Sequence, residues 1–235
     1  PRKLPRASDL PAASPRLPRA SDLPAGGARP SEPPGGRAQA LKVLEQELQG
    51  CTRCALHQGR TNLVFGAGNP DADVVFVGEG PGYHEDQEGR PFVGKAGELL
   101  DRIITNVLRL DRDQVYICNV VKCRPPDNRD PEPAEVAACS PFLRRQLQAL
   151  QSRVVVGLGR FAVNTLLGTD QALGSARGVA HRMRRGVLVA TYHPAYLLRN
   201  PADKRKTMED MMLVRAEYER AVGRPLPPPV RGGGR

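Results

Sequence analysis

Four short runs of apolar and β-branched residues, separated by stretches of helical spacing, constrain this chain more than any other feature. The runs are DVVFV (73–77), QVYICNVV (114–121), RVVVGL (153–158) and VLVATY (187–192). Runs this short and this uniformly apolar suit strands buried on both faces. Amphipathic segments at 96–108, 133–150 and 160–167 lie between them, and two more, at 38–49 and 204–222, bracket the set. In the first segment Leu41, Leu44 and Leu48 share one face, and Gly50 stops the helix. Parallel strands need long crossovers, which helices supply. The pattern therefore predicts an α/β domain with a mostly parallel central sheet.

The same pattern bounds the domain at 38–222, within the 235 residues of the chain. Residues 1–37 are rich in Pro, Arg, Ala and Ser and read as a disordered tail. The nonapeptide LPRASDLPA occurs there twice, at 4–12 and 17–25, which reads as duplicated linker and not as a solenoid. Residues 223–235 read as a flexible Pro/Gly/Arg tail. The formal net charge of +10 points to a polyanionic partner, nucleic acid first. Residues 1–38 carry +4 of it and residues 223–235 another +3, so the domain itself is only mildly basic. With no Trp and ten Phe and Tyr, a broad stacking platform for single strands is not expected. No apolar run approaches the ~18 residues of a membrane span. Five cysteines, an odd number, fit a reducing compartment better than a disulfide framework. The expected setting is cytoplasmic and nucleoid-associated, and the expected state is a monomer.

Cys51 and Cys54 form C-x2-C, whereas Cys123 and Cys139 stand fifteen residues apart. A zinc ribbon would show two tight pairs. Here the fold would have to assemble the site, and four thiolates so gathered suit either Zn²⁺ or a [4Fe–4S] cluster. Cys118, inside a strand run, reads as packing. The other polar residues that look chemical lie at strand ends, where open parallel sheets place their ligands. GEGPG (78–82) follows the first strand, Asn119 and KCRPP (122–126) the second, and His193-Pro194 the fourth. GEGPG has neither the Lys-Ser/Thr of a P-loop nor the G-x-G-x-x-G spacing. Alone it fits a tight turn equally well, and a lone histidine is more often structural than catalytic.

Taken together the motifs are specific. CTRCALHQGRTNLVFGAGNPDADVVFVGEG (51–80), GEGPGYHEDQEGRPFVGKAGELLD (78–101), YICNVVKCRPPDNRDPEPAEVAAC (116–139) and ATYHPAYLLR (190–199) occur in this order. They resemble the conserved blocks of the family 4, iron–sulfur, uracil-DNA glycosylases, and the resemblance covers roughly 38–222. It implies a three-layer α/β/α fold around a four-stranded parallel sheet. It implies a [4Fe–4S] cluster on Cys51, Cys54, Cys123 and Cys139, and uracil-containing DNA, single- or double-stranded, as substrate. It also implies roles. Phe92 would stack on a flipped uracil, and Asn119 would read its edge. His193 would donate toward O2 as the glycosidic bond breaks. The backbone of Glu79 and Gly80 would line the pocket, with Gly80 allowing close approach. In the related family 1 enzymes an Asp stands in the place of Gly80, so the group that handles water passes to Glu79 or Glu85. Glu85 has two further possible roles: crowding uracil C5 or orienting His193. Tyr196, Leu197, Leu198 and Arg199 would press into DNA. Lys204, Arg205 and Lys206 could touch phosphate or form a solvated face. Two competing readings need other features. A DNA-binding relative that traps uracil covalently needs an added basic loop with His, which the sequence lacks between Asn128 and Glu132. A phosphotransferase needs Mg²⁺ ligands near GEGPG, where only Glu85 and Asp86 offer themselves.

Overall fold

The computed structural model describes residues 35–230. The N-terminal repeat, with the tail reading that rests on it, lies outside them. The elements in order are α1 (Gly36–Gln49), β1 (Ala67–Gly68), β2 (Val74–Gly78), α2 (Tyr83–Glu88), α3 (Lys95–Ile103), β3 (Tyr116–Asn119), α4 (Pro133–Leu150) and β4 (Val154–Leu158). There follow α5 (Arg160–Leu167), α6 (Leu173–Ala176), β5 (Ala180–Arg182), β6 (Val187–Thr191), α7 (Pro194–Arg199) and α8 (Lys204–Val222). The sheet order is β1-β3-β2-β4-β6-β5. The four central strands are parallel, as the apolar runs predict, and the two outermost are antiparallel. Those edge strands, two and three residues long, carry no buried run, so no periodicity announced them.

Alternation along the central strands sends side chains to two separate cores. Val75, Val77, Tyr116, Cys118, Val155, Leu188 and Ala190 face the leucines of α1, Phe142 and Leu143 of α4, and Val163 of α5. Val74, Phe76, Ile117, Val154, Val156, Val187 and Val189 face Leu100 of α3 and Met211, Val214 and Tyr218 of α8. This is the three-layer α/β/α arrangement. Both faces of the sheet are covered, which is why the strand runs are continuously apolar.

Several boundaries differ from expectation. α1 begins at Gly36, because the buried Arg37 donates to the carbonyl of Leu150. The regular α-helix of 96–108 stops at Ile103 and continues as a π-helical turn, Ile104–Leu108, closed by Arg109 in the left-handed region. The expected strand 114–121 shortens to Tyr116–Asn119, since Asp111 caps a 3₁₀ turn that runs to Gln114. The segment after α8 is not free through residue 230. Leu226 donates its amide to Glu219 and accepts from Arg215, and Val230 donates to the carbonyl of Asn106. Among the described residues no helix is long and apolar enough to cross a membrane.

Candidate active site

The chain leaves β2 for β3 on one side and later returns to β4 on the other side. Loops at the carboxyl ends therefore diverge there and leave a crevice. A cavity of about 450 Å³ occupies it, lined by Glu79, Gly80, Glu85, Phe92, Asn119, Asp130, His193, Tyr196 and Arg199 among others. Six of these were expected from sequence to hold or act on a base, and the fold brings all six to one cavity.

Asn119 ends β3 opposite Gly78 of β2. Its side chain is 1% exposed, and its Oδ1 has no hydrogen-bond partner among the described residues. A buried amide oxygen without a donor is costly unless a ligand supplies one. Gly78 makes the room: a Cβ there would stand 2.3 Å from Asn119 Oδ1 and 2.8 Å from the Phe92 ring. The sequence contained this glycine, as the first of GEGPG, but not its reason.

Phe92 has φ +54°, a left-handed conformation that a bulky residue adopts only when held. Three contacts hold it. Glu85 Oε1 accepts from the amides of Val93 (3.1 Å) and Gly94 (3.3 Å). Arg112 donates to the carbonyl of Pro91 at 2.6 Å while pairing with Asp101. The Phe92 carbonyl lies over Gly97, where a Cβ would be 1.9 Å away. Glu85 is thus committed to the loop that aims the aromatic ring.

His193 caps α7: its Nδ1 accepts from the amide of Ala195 at 3.1 Å. That bond fixes the tautomer, so Nε2 bears the proton. Burial pushes its pKa down to about 4, although Glu85 works in the opposite direction. The ring is therefore a neutral donor at physiological pH. It lies 5.4 Å from the Phe92 ring, tilted by 32°. Glu79 is pushed the other way, to about 7, first by burial and then by the charge of Asp130, against Arg160. Asp130, from the loop after β3, lies inside the block 116–139, but the resemblance gives it no role there. Gly80 lines the cavity, but its missing Cβ serves a different neighbour than expected. A Cβ there would meet Val121 at 2.8 Å, so the glycine makes way for packing.

Cys51, Cys54, Cys123 and Cys139 all line a second, apolar hollow together with Leu48, Leu63 and Phe142. Cys51 lies just past α1, and Cys139 sits within α4. Burial raises the Cys123 thiol and lifts Cys139 to about 11, while Arg60 donates to Cys123 Sγ at 3.2 Å and opposes the rise. Arg60 also donates to the Cys51 carbonyl at 2.9 Å. Among the described residues no group of three or more His, Cys, Asp or Glu is arranged to hold a single metal ion. The thiols surround a space and do not meet at a point. Cys118 is wholly buried in the same core and does not line the hollow.

On α7 the expected DNA-facing residues separate. Leu198 is 41% exposed, but Leu197 is 1% exposed and packs inward, one helical position away. Leu197 therefore belongs to the fold and not to a DNA-pressing surface. Tyr196 stacks on Tyr192 (5.0 Å between centroids) and donates its hydroxyl to Asp203 at 2.7 Å. Arg177 lies over the Tyr192 ring and pairs with the buried Asp210 of α8, bracing α7 from behind. Arg205 pairs with Glu209 and Lys206 with Asp203. Among the described residues Arg199 and Lys204 make no ion pair.

Residues 65–215 match the uracil DNA glycosylase superfamily. A type-4 uracil-DNA glycosylase of Sulfurisphaera tokodaii is 44% identical over 184 residues, which cover 75% of this chain and 84% of that protein. One of Thermotoga maritima is 44% identical over 182 residues, covering 74% and 93%. A type-5 uracil-DNA glycosylase of Thermus thermophilus is 32% identical over 183 residues, covering 68% and 80%.

Proposed function

The chain belongs to the type-4 branch of the uracil DNA glycosylase superfamily, and from that premise we propose how its crevice excises uracil from DNA. The enzyme hydrolyses the N-glycosidic bond of deoxyuridine and so begins the repair of deaminated cytosine. The observation that carries the site assignment is the buried, unpartnered Oδ1 of Asn119. The N3–H of a flipped uracil is the donor it lacks, and the Asn119 amide nitrogen then faces O4. Phe92 stacks on the base from its preset loop. As C1′–N1 breaks, the bonding pair moves onto the uracil ring, and His193 Nε2–H donates to the charge growing on O2. Water adds to C1′ and gives a proton to Glu79, whose pKa of about 7 matches that task at neutral pH. Glu85 positions the Phe92 loop and takes no proton in this scheme. Leu198 fills the vacated stack, with Arg199 on phosphate.

The all-thiol donor set around an apolar hollow supports a [4Fe–4S] cluster on Cys51, Cys54, Cys123 and Cys139. When bound it supplies a covalent tie between the end of α1, the segment after β3, and α4. The reading is of a monomer acting on single- or double-stranded DNA in a reducing, nucleoid-associated setting. Asn119→Asp tests the assignment, with excision measured by alkali-labile cleavage in the presence of EDTA. It replaces the amide donor with an acceptor for the cytosine amino group. The variant should lose most uracil excision and gain weak cytosine excision, larger at mispairs, where flipping costs less. A variant that keeps the wild-type preference for uracil would remove Asn119 from base reading.

A further inference from the structure

Lys122 is 0% exposed, yet it makes no ion pair among the described residues. Its Nζ donates to the main-chain carbonyl of Asn119 at 2.7 Å and to Gln146 Oε1 at 2.5 Å. Gln146, also 0% exposed, is fixed in turn by donating to the carbonyl of Phe65 at 2.9 Å. The Phe65 ring lies 6.0 Å from the ammonium. A buried cation with no carboxylate is expensive, and a methionine would fill the same channel without that cost. The donors are the reason for a lysine here.

The strand geometry shows what those donors do. Val120 donates to Gly78, so residues 118 and 120 of this strand direct their peptide groups toward β2. Asn119, between them, turns its own carbonyl to the opposite side, as alternate residues of a parallel strand must. There the edge strand β1 pairs only with Tyr116 and Ile117 and ends too early to supply a partner. Lys122 reaches back over three residues and occupies that place.

We propose that Lys122 is a positioning residue of the uracil pocket, clamping the Asn119 carbonyl from behind so that the amide side chain is held in register for the base. The inference rests on Asn119 as the base reader. It adds that the aim of this amide is set by a side chain outside the pocket, on the side of the sheet that faces α1 and α4. Lys122 does not line the uracil cavity, but it borders the hollow of the four cysteines, so an unchanged iron content is what separates an effect through Asn119 from one through that hollow.

A double-mutant cycle of Lys122→Met and Asn119→Ala tests this, read as single-turnover excision on a uracil oligonucleotide, with iron content and DNA affinity measured beside it. Lys122→Met should lower the rate roughly 10- to 100-fold, the scale of a small misplacement of a recognition group. Iron content and DNA affinity should stay at the parental level. In the Asn119→Ala background the same substitution should have no further effect, because the residue it positions is gone. A parental rate in Lys122→Met, or losses that multiply in the double variant, would overturn the proposal. A parental rate in Asn119→Ala would instead overturn the reading of Asn119 itself. If Lys122→Met gives no soluble protein, Lys122→Gln, too short to reach the carbonyl, enters the same cycle with the same outcomes.

Discussion

Glu79 and His193 face one cavity, and burial moves their protonation in opposite useful directions. Each is pushed toward its neutral form: the carboxyl up to about 7, the imidazole down to about 4. Excision should therefore fall as pH drops below about 7, where Glu79 becomes protonated. It should not fall again until near pH 4, where His193 would lose its acceptor Nδ1. Glu79→Gln should be slow and should flatten the upper limb, while His193→Ala should cost roughly 10²–10³ in single-turnover rate at every pH between. A Glu79→Gln profile that still falls below pH 7 would assign that limb to another group. The same shift has a stability sign. The folded state holds the Glu79 proton more tightly than the unfolded chain does. Stability therefore declines as pH rises from about 4.5 to about 7, and Glu79→Gln should melt no lower than the parent at pH 8. At this scale the chemistry was legible where residue type and motif coincide, as for Asn119 and His193. Gly78, Gly97 and Asp130 were not legible, because their roles depend on what the fold places against them.

At the scale of elements, the short helix α7 carries two neighbouring leucines with different duties. Leu197 points to the core and Leu198 to solvent, a division that a six-residue helix with no repeating pattern does not announce in sequence. Leu198→Ala should leave the melting temperature unchanged and slow excision more on double- than on single-stranded DNA, since only the duplex has a stack to refill. Leu197→Ala should instead cost about 2–5 kcal/mol of stability, as buried leucines do, with excision per folded molecule preserved. Thermal melts and paired rates on the two substrates separate these outcomes; equal effects of both substitutions on duplex excision would remove the distinction. The long strands and helices were readable because burial on both sheet faces writes continuous apolar runs. The loop carrying Phe92 was not, since it is held by Glu85, Arg112 and Gly97 acting across separate segments.

The molecule as a whole joins a modestly charged domain to a basic N-terminal segment. The charge of residues 1–34 is sequence-encoded, and non-specific DNA binding scales with phosphates neutralised. Deleting residues 1–34 should leave excision on short oligonucleotides intact and flatten the salt dependence of binding to undamaged DNA. An unchanged slope would mean that this segment takes no part in contact with DNA. The boundary at 34 follows from Arg37, which is anchored to Leu150 and must be kept. The sheet carries a consequence for behaviour on heating. Asn119 ends β3 and His193 follows β6 by two residues as the cap of α7, with β2 and β4 between those strands. The strands that carry these two residues are thus joined by ladder hydrogen bonds through the central sheet, the kind of element that opens last. Warming should slow or quicken the enzyme long before it makes it careless, and fidelity should fail only when the sheet itself comes apart.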